Sequence, residues 1–218
     1  MKFSEWEPVY VSICSDMGYD PSCDDMSARM LLALTQNSDV RDEDSIAPLI
    51  KDTVTVLGAS SGLEGDILSK GVEGTVIVAG SAVGRAMAAG VRPDIVVTDL
   101  DGDIGPQIDA CNSGVLTLVL AHGDNAELVG KYIPLMRGPL VPTTQGRPFG
   151  ILQNYGGFTD GDRAVCLAKE FGAVRIRLLG FDFDDPYPKE GGDPEVKRRK
   201  LSWARRIIKD VAGETATI

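Results

Sequence analysis

The feature that most restricts this chain is a series of short apolar runs that do not alternate with polar residues. They fall at 53–57, 75–79, 94–97, 115–120, 150–153 and 174–179 and are rich in Val, Ile and Leu. A strand with one wet face alternates apolar and polar side chains. An unbroken run instead marks a strand covered on both faces, as in a parallel sheet. Stretches with helical patterning separate the runs, at 62–70, 81–90, 105–113, 125–135 and 160–171, and a basic amphipathic helix at 195–211 follows the last. Alternating strands and helices give right-handed βαβ units, so the expected class is α/β with a doubly wound, mostly parallel sheet over residues 51–218.

Residues 1–50 have a different texture and read as a mostly helical N-terminal segment packed on the main domain. Met30, Leu31, Leu32 and Leu34 give 26–34 a helical apolar face, with Asp24 or Asp25 as its expected cap. No run approaches the roughly 18–20 apolar residues needed to span a bilayer, and the first residues lack the charged-then-apolar pattern of a secretory signal. A cytoplasmic location with no membrane partner is therefore expected. The net charge is −10, whereas duplex nucleic acid is held by a basic face, so no nucleic-acid partner is expected either. The four cysteines include no CxxC pair and His122 is the only histidine, which disfavours a structural zinc site.

In an open α/β sheet, ligands bind beyond the carboxyl ends of the strands, and here those ends carry unusual polar clusters. The strongest is Asp99-Leu100-Asp101-Gly102-Asp103, directly after Ile95-Val96-Val97. Carboxylates at every second position repel one another when gathered, and a hard divalent cation relieves that repulsion. The alternative is a polar turn with capping acids. In His122-Gly123-Asp124-Asn125, His122 is a phosphate contact and Asp124 a metal ligand or hydroxyl activator, although Asn125 can simply cap the next helix. Gly156-Gly157-Phe158-Thr159-Asp160-Gly161-Asp162-Arg163 opens a helix, where free N–H groups favour phosphate and Arg163 adds a fork; the plainer reading is a glycine turn capped by Thr159. Gly58-Ala59-Ser60-Ser61-Gly62 can cradle a phosphate but is neither GxGxxG nor a Walker A loop. The helix at 195–211 is read as a solvated basic face or as a source of Lys197 and Lys200 for a triphosphate, with 186–194 as a lid or an ordinary surface loop.

Taken together, Val97-Thr98-Asp99-Leu100-Asp101-Gly102-Asp103, Ala121-His122-Gly123-Asp124-Asn125, Gly156-Gly157-Phe158-Thr159-Asp160-Gly161-Asp162-Arg163-Ala164 and Gly180-Phe181-Asp182-Phe183 resemble the archaeal 6-hydroxymethyl-7,8-dihydropterin pyrophosphokinases. Leu57 to Leu63 and Lys200-Leu201 with Trp203-Ala204 extend the likeness. That family is related to the thiamin pyrophosphokinases, which share a strand-end Asp-x-Asp and a Thr-Asp pair opening a helix. The resemblance implies a Rossmann-like domain, ATP as donor, Mg2+ as cofactor, AMP as leaving product and the hydroxymethyl group of a reduced pterin as acceptor, in folate or methanopterin synthesis. It also implies site roles. Asp99, Asp101 and Asp160 are metal ligands, and these three with Asp124 are the catalytic set. Gly58, Ser60, Ser61, His122, Asn125, Thr159, Arg163 and Lys200 contact the nucleotide, and Asn125 with Asp182 the acceptor. A homodimer is expected.

Three rivals stand beside this reading. Asp99-Leu100-Asp101-Gly102 with Asp184-Asp185 also resembles a haloacid-dehalogenase-type phosphatase, but Asp103 stands where that family places Thr or Val. A thiamin pyrophosphokinase shares the chemistry, but usually adds a β-sandwich where this chain has a helix. A nucleotide-binding module without catalysis is the third.

Overall fold

The computed structural model describes residues 1–123, 125–184 and 193–218. Its strands are β1 (Asp39–Val40), β2 (Thr53–Leu57), β3 (Thr75–Ala79), β4 (Ile95–Thr98), β5 (Leu116–Ala121), β6 (Pro139–Thr144), β7 (Arg175–Leu179) and β8 (Ala216–Thr217). Among the described residues they form one sheet in the order β1-β6-β5-β4-β3-β2-β7-β8, with every neighbouring pair parallel. Every residue of β3, β4 and β5 is buried, which is why their sequences run apolar without alternation. The larger helices are α1 (Phe3–Met17), α2 (Pro21–Leu34), α3 (Glu43–Ile46), α4 (Leu63–Lys70), α5 (Val83–Ala88), α6 (Ile104–Asn112), α7 (Ala126–Tyr132), α8 (Asp160–Glu170) and α9 (Pro194–Ala212).

Alternate strand residues feed two cores. Val54, Val56, Ile77, Ile95 and Val97 point to one face and pack on Ala164, Val165, Leu167 and Ala168 of α8 and Ile208 of α9. Val76, Val78 and Val96 point to the other and meet Leu63, Val83, Ala86 and Ala110 from α4, α5 and α6. The chain steps from β2 to β6 in order, then crosses back through α8 to place β7 on the other side of β2. That reversal opens a crevice beyond the carboxyl ends of the strands.

The N-terminal helices straddle the sheet. Trp6, Tyr10 and Ile13 of α1 pack with Cys166 of α8 and Ile207 of α9, whereas Ala28 and Leu31 of α2 pack with Val129 of α7 and with Val119 and Leu140 on the opposite face. The turn between α1 and α2 therefore passes over the carboxyl edge. β1 pairs with β6 at the rim of the sheet.

Two expectations need correction. The run at 150–153 forms no strand, and the strand neighbouring β5 is β6. Pro139 and Pro142 obscured it. Leu140 and Pro142 turn their carbonyls outward, to Arg41 N–H and Gln153 N–H. The missing N–H of Pro142 thus faces the side beyond two-residue β1, where no ladder bond is lost. Helix α2 begins before Asp24: Asp20 is its cap, accepting the Ser22 N–H at 2.9 Å, with Pro21 in the first turn. Among the described residues, no helix is long and apolar enough to cross a membrane.

Candidate active site

A cavity of about 700 Å³ follows the carboxyl edge of the sheet. Its lining comes from the ends of β2 and β7 (Gly58, Ser60, Gly180), of β4 (Asp99, Asp101), and of β5 and β6 (His122, Gln145). Strand spacing of ~4.8 Å makes the distance from β7 to β6 about 24 Å.

Near the middle lie Asp99, Asp101 and Asp160, whose carboxylate oxygens approach within 4.8 Å of one another. The loop after β4 is wound tightly to bring the first two together. Leu100, between them, holds a left-handed backbone with φ of 67°, a conformation that costs a non-glycine residue of order 1–3 kcal/mol. Its side chain is 1% exposed, in the core beneath α2. Its N–H donates to Thr98 Oγ1 at 2.8 Å, and that hydroxyl donates to Gln107 Oε1 at 2.5 Å. Gln107 Nε2 then donates to the carbonyls of Asp101 and Asp103, at 2.7 and 3.1 Å. Ser81 Oγ donates to Asp101 Oδ1 at 3.1 Å, and His122 Nε2 lies 3.5 Å from Asp99 Oδ2.

Asp160 is the first residue of α8. The helix start is fixed by fully buried Asp162, whose carboxyl accepts the N–H groups of Phe158 and Thr159 and the Thr159 hydroxyl, at 2.6, 2.8 and 2.5 Å. Burial pushes the Asp162 carboxyl up from the usual range, with those bonds pulling against it. Arg163 lies beneath. It donates to Thr143 Oγ1 at 3.0 Å and to the Gly157 carbonyl at 3.4 Å. Burial draws its guanidinium down, and the nearby charges of Asp160, Asp162 and Asp99 hold it up. Three carboxylates at one point offer only hard oxygen donors, which suits a cation of the Mg2+ type.

The other expected residues divide between the cavity and its supports. Gly58, Ser60, Thr159, His122, Lys200 and Asp182 line it. Lys200 Nζ also stands 5.8 Å from the centre of the Phe158 ring. The ends of β2 and β7 pass so closely that a Cβ on Gly58 would sit 2.7 Å from the Gly180 carbonyl oxygen, and Gly180 itself has φ of 70°. Side chains there would close the backbone approach. Ser61 is exposed and lies outside the lining. Arg163 and Asn125 also stand away from it. Arg163 is 5% exposed, and its two terminal nitrogens donate to Gly157 and Thr143. Asn125 is 2% exposed; it donates to the Asp99 and Leu120 carbonyls and accepts the His122 N–H, tying the ends of β4 and β5 together instead of capping α7. Asp124, and with it Asp185 and the loop at 186–192, lie outside the described residues.

Sequence reasoning did not find Ser81, Gln107, Gln145, Tyr19 or Asp24 as parts of this site. Asp24 had a local explanation as a helix cap that hid its distant partners. Cys23, next to it, is half-buried in the cavity wall, whereas Cys14, Cys111 and Cys166 are buried. Burial also pushes all three of those thiols up, and the thiolate is the reactive form. A maleimide is expected to modify one cysteine in the native protein, Cys23, and the other three only in denaturant. Peptide mapping by mass spectrometry checks this.

A family model described as 6-hydroxymethylpterin diphosphokinase MptE-like matches residues 32–187, a span that includes Asp99, Asp101 and Asp160. The chain belongs to this family. A member from Pyrococcus furiosus, named 6-hydroxymethyl-7,8-dihydropterin pyrophosphokinase, is 38% identical over 95% of this chain and 93% of its own length. One from Methanothermobacter thermautotrophicus with the same name is also 38% identical, over 95% and 94%. A third, from Methanocaldococcus jannaschii, is 32% identical over 95% of each. These matches cover nearly the whole chain, so the likeness takes in most of the N-terminal segment as well as the sheet.

Proposed function

We propose that this protein is an ATP:6-hydroxymethyl-7,8-dihydropterin diphosphotransferase, moving the terminal diphosphate of ATP to the pterin hydroxymethyl group and releasing AMP. The observation that carries this reading is the meeting of Asp99, Asp101 and Asp160 in the floor of one cavity. The names of the family members supply the acceptor.

In the reaction the hydroxymethyl oxygen attacks the β-phosphorus of ATP, the bond from that phosphorus to the α,β-bridging oxygen breaks, and the hydroxyl proton is lost. Such transfer depends on positioning and on balancing phosphate charge. Asp99, Asp101 and Asp160 are the residues to hold Mg2+, which when bound offsets negative charge on the phosphate oxygens. The close glycine crossing at Gly58 and Gly180 and the hydroxyl of Ser60 give the nucleotide room and a hydrogen-bond partner at the β2/β7 end. Lys197 and Lys200 of α9 line the same cavity and complement the triphosphate charge. His122 lines the cavity beside Asp99, and in this reading it is a contact for the transferred phosphates.

The test is incubation of the purified protein with ATP, Mg2+ and reduced hydroxymethylpterin, with AMP and pterin diphosphate as products. Release of free phosphate in place of AMP would support the phosphatase rival, and equal or better use of thiamin would move the assignment to that alcohol.

A further inference from the structure

The cavity has two ends, and they differ in chemistry. The β2/β7 end has the glycine crossing and Ser60. The β5/β6 end lies under the turn between α1 and α2, where Tyr19, Cys23 and Asp24 complete the wall beside Phe158. The rings of Tyr19 and Phe158 stand 6.3 Å apart, centre to centre, and give this end an aromatic surface. Among the carboxylates lining the described cavity, Asp24 is the one that is buried, at 8% exposure.

Its surroundings fix its direction. Asp24 Oδ1 accepts the Gly123 N–H at 2.6 Å, and Oδ2 accepts the Tyr10 hydroxyl at 2.5 Å. Burial and the neighbouring carboxylate push the Tyr10 phenol far above its ordinary range, so it remains a donor. A carboxylate has about four acceptor positions; these bonds take one on each oxygen and leave one on each. Gly123 follows His122, which touches Asp99, so Asp24 stands close to the triad on its β5 side. The approach is tight: a Cβ on Gly123 would lie 2.9 Å from Cys23 Cβ.

A reduced pterin is a flat bicycle with two adjacent donors, the 2-amino group and N3–H, at one end and the hydroxymethyl group at the other. A desolvated carboxylate is the natural partner for such a donor pair. Building on the function proposed above, we infer that the acceptor occupies the β5/β6 end of the cavity, with its donor edge on Asp24 and its hydroxymethyl group turned toward Asp99, Asp101 and Asp160. The N-terminal helices are then the acceptor-recognition element of the enzyme, and Asp24 is its specificity residue.

The test compares the pterin with its 2-oxo analogue, in which the amino donor is replaced by an acceptor. Asp24→Asn keeps size and an oxygen for the Gly123 N–H. It is expected to raise the pterin KM about 10- to 100-fold, leave the ATP KM within about twofold of wild type, and erase discrimination against the 2-oxo compound. Tyr10→Phe, which removes the tether but not the carboxylate, keeps that discrimination and so separates recognition from support. A second measurement needs no variant: the pterin, with or without a non-transferable ATP analogue, slows maleimide labelling of Cys23, and ATP with Mg2+ alone does not. Wild-type AMP formation with an unchanged pterin KM and unchanged discrimination in Asp24→Asn, or with Cys23 labelled equally fast in the presence of pterin, overturns this subsite and leaves the diphosphotransferase reading standing. No AMP from wild type with any reduced pterin overturns both.

Discussion

Asp101→Asn is expected to cut AMP formation by at least about 10²–10³-fold, the scale seen when a single charge-stabilising group is removed from a transition state. The side chain keeps its volume and can still accept the Ser81 hydroxyl, so the loop has little reason to move. Stability should hold or rise slightly, because one of three mutually repelling carboxylates has been neutralised. The pair of measurements is the steady-state rate across a Mg2+ titration and the thermal midpoint. Near-normal turnover would remove Asp101 from the reacting centre. A collapsed midpoint would show that the loop needs the charge to fold.

Arg163→Met should have the opposite profile, a large loss of stability. The guanidinium is buried among the charges of Asp160, Asp162 and Asp99 and donates to Thr143 and Gly157. Taking away one member of a buried charge group leaves the rest uncompensated and typically costs about 3–5 kcal/mol. In a chain of this size that lowers the melting midpoint by roughly 6–20 °C. Arg163→Lys should recover only part of the loss, because an ammonium cannot reproduce a planar fork directed at two acceptors. A midpoint unchanged in Arg163→Met would mean that the carboxylates at the head of α8 need no buried counter-charge.

The sheet could be read from the sequence because strands covered on both faces leave continuous runs of Val, Ile and Leu. β6 was missed for a local reason: its prolines break the run, while the apolar stretch near 150 imitates one. Asp99 and Asp101 were legible because both fall on one short loop at a strand end. Asp160 joined them through the family resemblance, which carries a Thr-Asp pair opening a helix. What could not be read were relations across the chain. Asp24 meets Gly123 at a separation of 99 residues, and nothing near Asp24 in sequence suggests it. Arg163 and Asn125 carry polar groups that suggest contact with a ligand, yet both are buried and bond to the protein itself. Burial of a charged or amide side chain is a property of the assembled layers, so sequence alone assigns such residues to the surface or to the substrate.

Leu100 bears on how the site meets its ligands. A hydrophobic side chain anchored in the core, together with the Thr98 and Gln107 bonds, keeps its backbone in a conformation that an isolated peptide would abandon. The cost of that posture is met during folding, before any ligand arrives. Binding then draws on an already shaped receptor, with little rearrangement left to oppose it.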